Sequence, residues 1–413
     1  MNTYANVLTI AIPIFFSLVL VEILYGLISK KHYYNLMDTL SSLSSGITNL
    51  LKDLLGIGVI IISYPFIKKS ISIIELNESI LLYTIAFICL DFASYWNHRL
   101  NHSINFFWNQ HVIHHSSQEF NLACALRQSI SNLLGYGAIF LIPAALFGIP
   151  HKVIALLAPL HLFGQFWYHT KHIGKLGFLE YIFVTPSQHR VHHAINPEYV
   201  DKNLSAIFCI WDRLFGTFQK ELENVPCVYG TLKPVNTWNP FIINFQHLWY
   251  LSIDAWHTKK LINKIKIWFM PTGWRPNDVK ERFKRDKIID VYNQQKYKIE
   301  YRNVHIFYAI FHFIYINVAL WLLLTGYDEL ENNLKIFYSI FILTTIFGFT
   351  SVMDSYKWAS YIELLRLILS LILINNMFEF ENFNFYLFNF YFMFSVFLTL
   401  MVSNHLPKEN KMV

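Results

Sequence analysis

Residues 80–102 read ILLYTIAFICLDFASYWNHRLNH, and this stretch decides the fold. An apolar run from about Ile80 to Trp96 is long enough for a membrane helix, and it leads straight into His98 and His102. One segment thus joins a bilayer span to a pair of metal-binding side chains. The acid within it, Asp91, lies two turns before His98 on the same face, where a carboxylate is costly and therefore a functional candidate.

Composition agrees with the span. Hydrophobic residues make up 54% of the 413 positions and charged ones only 15%, against roughly 25% in soluble domains. Further apolar runs cover Val7–Ile28, about Leu50–Ile67, Leu133–Ile149, Val153–Trp167, Phe307–Leu324, Ile336–Val352, Leu364–Met377 and Phe385–Met401. The expected fold is all-α: a multipass membrane helix bundle of roughly nine segments with a cytosolic histidine-rich cap. Gly148, Ile149 and Pro150 punctuate one pair of runs, which reads as a hairpin returning to the side it left. Gly56-Ile-Gly58 opens no nucleotide-binding turn and reads as helix packing. Four regions divide the chain: N-terminal membrane helices (1–90), a di-metal core with the hairpin (91–250), a cytosolic connector (251–302) and C-terminal membrane helices (303–413). Cys89, Cys124, Cys209 and Cys227 form no CxxC pair and read as thiols in a reducing compartment.

Charge sets the orientation. Lys30, Lys31, Arg99, Arg190, Lys202, Arg213, Lys259, Lys260, Arg282, Lys284, Arg285, Lys408 and Lys411 fall on one side of the predicted topology. Lys68, Lys69, Lys152 and Lys335 fall on the other. The positive-inside rule makes the richer side cytosolic, and every histidine cluster lies there. The basic balance is explained by topology, which leaves no case for nucleic-acid binding.

Eighteen histidines are present, and three groups carry ligand spacing: His98/His102, His111/His114/His115 and His189/His192/His193. Positions i, i+3 and i+4 share a helix face, so HxxxH aims two imidazoles at one point and HxxHH three. Imidazole suits iron, zinc, copper and nickel. Eight rings exceed the needs of one ion, so two ions are expected, with His169 as a further ligand. His161 and His172 stand outside the set. Lone histidines at the membrane edge (His32, His151, His247, His257, His305, His312, His405) read as ordinary polar residues. Asp91, Asp201, Asn203 and Asp212 are candidates to orient the ligands from behind. Zinc offers no redox chemistry, whereas iron in a dry pocket beside lipid suits dioxygen-dependent attack on a C–H bond.

The order HxxxH, HxxHH, HxxHH in a multipass chain resembles the fatty acid hydroxylase/sterol desaturase superfamily. The stretches Asn121–Ser129, Gln165–Thr170, Thr185–His193, Asp201–Asn203, Trp211–Phe218 and Val228–Gly230 are similar to its alkylglycerol monooxygenase branch. The resemblance covers about Asp91–Tyr250. It implies a di-iron centre held by His98, His102, His111, His114, His115, His189, His192 and His193, with His169 matching a further family histidine. It also implies dioxygen, a lipid substrate and tetrahydrobiopterin as electron donor, with ether cleavage through a hemiacetal. Ser103 stands where the family often has glutamate, which bears on pterin use and the ether substrate. An electron-transfer protein would be the other external reductant. The alternatives are a sterol, fatty acid or carotenoid hydroxylase or desaturase and, more distantly, a metal transporter or zinc hydrolase. The expected location is the endoplasmic reticulum in a eukaryote or the inner membrane in a bacterium.

Overall fold

The computed structural model describes residues 2–377 and 383–403. His405, Lys408 and Lys411 lie outside the described residues.

The chain is helical, with one two-residue parallel pairing between Val59–Ile60 and Leu134–Gly135. It opens with α1 (Asn2–Ile28), whose leucines and isoleucines are largely exposed, as a lipid-facing helix requires. Asn35 caps α2 (Leu36–Leu54) by accepting from the Met37 and Asp38 amides. Next come α3 (Tyr64–Ile71) and α4 (Ile80–Ser103). The latter runs beyond the apolar stretch, so His98 and His102 ride on its last turns. Single-turn helices α5 (Asn105–Trp108), α6 (Val112–His115) and α7 (Leu122–Ala125) follow, and α6 with its N-cap His111 carries the second histidine group. The hairpin consists of a 3-10 turn (Gly137–Leu141), α8 (Ile142–Leu146) and α9 (His151–Phe163).

Between α8 and α9, Gly148 has φ +62, and a Cβ there would sit 2.0 Å from the Ile74 carbonyl oxygen. Only glycine fits both demands. Thereafter α10 (Pro186–His193) bears the third histidine group, starting with proline at its first position. It is followed by α11 (Ile210–Leu214), α12 (Pro240–His257), α13 (Leu261–Phe269) and α14 (Asn277–Arg282). Helices α15 (Asn303–Thr325), α16 (Asn332–Met353), α17 (Ala359–Met377) and α18 (Phe383–Ser403) pack as a bundle. The main hydrophobic core joins this bundle to α2, so N- and C-terminal helices share one interior.

Five helices among the described residues are long and apolar enough to cross a bilayer: α1, α4, α15, α16 and α18. This is an integral membrane protein. Nine spans are not shown. The expected segment at 50–67 is not one helix. Its charged pair Lys52–Asp53 ends α2, and Gly56 turns the chain at φ +64. The glycines read as helix packing therefore form a turn. The hairpin helices are short, and α17 carries the buried Glu363–Arg366 ion pair, 2.7 Å apart. Arg366 also donates to the Tyr391 hydroxyl of α18, so the charges are satisfied inside the bundle. All four cysteines are free thiols.

Candidate metal centre

All nine sequence-predicted histidines converge. His98, His102, His111, His115 and His192 form one group, and His114, His169, His189 and His193 form another. Within each group the ligand nitrogens lie within 4.8 Å of one another. The groups touch, since the His115 and His193 rings stack at 4.4 Å between centroids.

The HxxHH boxes do not each aim three rings at one point, contrary to the expectation from spacing. Residues four apart stay together, as His111 with His115 and His189 with His193. The middle ring crosses over, so His114 joins the 189/193 group and His192 joins the 111/115 group. Adjacent helical residues project about 100° apart. Accordingly the His114/His115 and His192/His193 ring planes each meet at 89°. The boxes are interlocked.

Tautomers follow from the partners. A carbonyl oxygen only accepts, so the nitrogen facing it carries hydrogen. His98 Nδ1 donates to Leu204 O at 2.8 Å, His114 Nδ1 to Arg127 O at 3.2 Å, His169 Nδ1 to Gln165 O at 3.0 Å and His192 Nδ1 to Lys202 O at 3.0 Å. His102 Nδ1 faces Asp201 Oδ1 at 3.1 Å. The Nε2 atoms of these rings carry lone pairs that point inward. His114 Nε2 and His169 Nε2 are 3.4 Å apart, neither carrying its own ring's proton, His169 Nε2 also meets His189 Nε2 at 2.8 Å, and His192 Nε2 is buried without a partner. Burial pushes the His114 imidazole down to about 3 and His169 well below the ordinary value, so neither ring holds a second proton. Burial first, then neighbouring imidazoles, does the same for His111, His115, His189, His192 and His193. Opposed lone pairs in a buried cage fit a cation, and neutral imidazoles fit a first-row transition metal.

The four supporting residues take different parts. Asp201 meets His102 directly. Asp212 accepts from the Leu204 and Ser205 amides at 2.6 and 3.0 Å and from Thr217 Oγ1 at 2.7 Å. It thereby fixes the loop whose carbonyl receives His98. Asn203 donates to Gln188 O and Gln219 O, tying α10 to the 217–219 segment. Asp91 touches no cluster histidine. It accepts from His161 Nε2, the Ile207 and Phe208 amides and Trp211 Nε1, all at 2.7–3.0 Å. His161 in turn meets Gln165 Nε2, and the Gln165 carbonyl receives His169. The two-turn spacing of Asp91 from His98 aligned them on a face but not at one depth.

Sequence reasoning missed two braces. Arg127, fully buried, donates to Ser42 Oγ, Ser116 Oγ and Asp38 Oδ2, the last at 3.0 Å, while its carbonyl positions His114. Arg190 grips Glu221 with two bonds of 2.9 and 2.7 Å and donates to Thr170 O and Ile173 O, holding α10 against the His169 segment. The signal for the first was an arginine inside Ala-Leu-Arg-Gln, a charge with no reason to be in an apolar turn. Ser103 bonds Arg99 O and is exposed.

The fatty acid hydroxylase family profile matches residues 83–217, the segment holding all nine histidines. The histidine core is thus similar to the fatty acid hydroxylase family over that segment. Alkylglycerol monooxygenase of Homo sapiens is 40% identical over 268 residues, 64% of this chain and 59% of that protein. The Danio rerio enzyme of the same name is 38% identical over 268 residues, with 64% and 59% covered. Ornithine lipid hydroxylase OlsE of Rhizobium tropici is 30% identical over 131 residues, 32% of this chain and 40% of that protein. The chain thus spans 59% of the length of the human relative. No solved structure matches the chain.

Proposed function

We propose that this protein is a membrane monooxygenase with two iron ions, which hydroxylates the ether-bearing carbon of an O-alkylglycerol lipid. The opposed lone pairs of His114 and His169 carry the reading, because they call for a cation in a cage of neutral nitrogen donors. His98, His102, His111, His115 and His192 would hold one ion, and His114, His169, His189 and His193 the other. When bound, the two ions supply dioxygen binding and reduction. The overall balance is lipid C–H plus O2, two electrons and two protons giving C–OH plus water. The hemiacetal formed at an ether carbon then falls to an aldehyde and a glycerol derivative.

The protein's own residues keep the site dry and fixed. Phe120, Trp108 and Tyr168 close over the rings, with Tyr168 4.3 Å from His189 and Trp108 5.2 Å from His102 between centroids. Carbonyls and Asp201 hold the His98, His102, His114, His169 and His192 rings at the far nitrogen, which keeps Nε2 free as a donor. The cage opens on one side into a cavity of about 600 Å³. By charge the site faces the cytosol, in the endoplasmic reticulum of a eukaryote or the inner membrane of a bacterium. The division at 90, 250 and 302 and the hairpin as a re-entrant membrane segment belong to the same reading. Tetrahydrobiopterin is the proposed electron donor by likeness to alkylglycerol monooxygenase, with Ser103 as the point of departure.

Purified membranes given labelled alkylglycerol, oxygen and reduced pterin are expected to release labelled fatty aldehyde. Pterin-independent hydroxylation of a sterol, fatty acid or carotenoid would favour the alternative within the family. Turnover without oxygen, or full activity after His114→Ala, would overturn the reading.

A further inference from the structure

The cavity beside the histidine cage has two unlike ends. Its inner wall includes His102, His115, His192 and His193, and its middle is apolar, with Val112, Ile195 and Ile243. Its outer end gathers six cationic side chains: Lys233, Arg275, Lys280, Lys284, Arg285 and Lys287. Among the described residues the only carboxylate lining it is Asp201, which faces His102. One further acid lies behind the wall. Asp254, fully buried, takes both Arg275 and Arg285 at 2.6 Å.

The arginines are fixed. Arg275 also donates to the Val279 and Phe283 carbonyls, and Arg285 to the Tyr250 carbonyl. No carboxylate lies within ion-pair distance of the four lysines among the described residues. Lys280, Lys284 and Lys287 are exposed at the rim, and Lys233 is half-buried. Burial first, then Arg285 and Arg275, pushes Lys233 down to about 8. A cleft lined by six cations and one carboxylate, with a second acid behind it, focuses positive potential and concentrates anions in its mouth.

We propose that this vestibule binds a phosphate ester, held by Lys233, Lys280, Lys284 and Lys287 in front of the Arg275–Asp254–Arg285 brace. A tetrahedral, multiply charged group offers oxygens to several ammonium groups at once, which a single carboxylate does not. The apolar middle wall fits a group that links the phosphate to the carbon presented at the cage. The same chemistry is found in a lipid headgroup and in a soluble phosphorylated molecule. The proposal rests on the monooxygenase reading for the position of the reacting carbon, and its test does not depend on turnover.

The test uses full-length, metal-loaded protein in neutral detergent under anaerobic conditions without reductant. Binding of an O-alkylglycerol phosphate is compared with that of the neutral O-alkylglycerol of equal chain length. Wild-type protein is expected to prefer the phosphorylated lipid by about tenfold. The preference should fall towards unity in Lys280→Gln/Lys284→Gln/Lys287→Gln and survive in the matching Lys→Arg triple. Equal binding of the two lipids by wild-type protein, or a preference kept by the Gln triple, overturns the proposal. Metal content and helical circular dichroism of the same samples verify folding of these surface variants. Displacement of the lipid by millimolar inorganic phosphate supports a soluble phosphate ligand, and resistance to it supports a headgroup. If the preference behaves as expected but neither lipid is oxidised when oxygen and reductant are added, the monooxygenase reading fails and the anion site stands.

Discussion

His114 and His169 confront each other Nε2 to Nε2 at 3.4 Å, each having given its only proton to a carbonyl, Arg127 O and Gln165 O respectively. Two neutral rings gain nothing from that arrangement unless something positive lies between them. The pair comes from segments 55 residues apart, so no local preference explains it.

Removing either crossing histidine is expected to empty the ion that it joins. His114→Ala should lower the metal content from two ions per chain towards one, as should His192→Ala, with activity falling by at least about 100-fold. Elemental analysis of the purified variants measures this directly. Two ions retained in both variants would refute the assignment of ligands to groups.

Asp201 and Asp212 should differ in their effects. Asp201 is 60% exposed and meets only His102 among the ligands, so Asp201→Ala is expected to weaken metal retention by about tenfold. Asp212 is buried and holds two amides and a hydroxyl, so Asp212→Ala should also lower stability by about 1–3 kcal/mol. Chelator titration followed by thermal unfolding separates the two effects.

Arg127→Met leaves the Asp38 carboxylate buried without its cation. Stranding a buried charge costs about 3–5 kcal/mol, so this variant should unfold at a clearly lower temperature than wild type. Adding Asp38→Asn should recover part of the loss. A double variant as unstable as the single one would show that packing of the arginine stem, rather than charge, matters here.

Lys233 supplies a pH signature. Its folded pKa of about 8 lies below the ordinary 10.5. Between those values the unfolded chain holds a proton that the folded chain has released, so stability rises with pH across that window. The unfolding temperature of wild type relative to Lys233→Met should therefore climb from about pH 8 to about pH 10. A flat difference would show that Lys233 remains charged in the fold.

The nine histidines and the apolar helices were legible in the sequence because both are written in local spacing. Their division between two groups was not, because spacing specifies a helical face and not what that face meets. His192 reaches His98 only after residues 194–204 have looped back to present the Lys202 and Leu204 carbonyls. Asp91 was misplaced for the same reason: its partners Ile207, Phe208 and Trp211 lie more than a hundred residues away. The run at 50–67 was overread because hydropathy averages across Gly56, whose left-handed backbone ends the helix.

The exchange of His114 and His192 between groups has a consequence for assembly. An ion entering the 98/102/111/115/192 group fixes α10, and fixing α10 brings His189 and His193 into place for the other ion. The reverse holds through α6 and His114. Loading of the intact protein should therefore be cooperative, with half-filled molecules scarce at every stage of a titration.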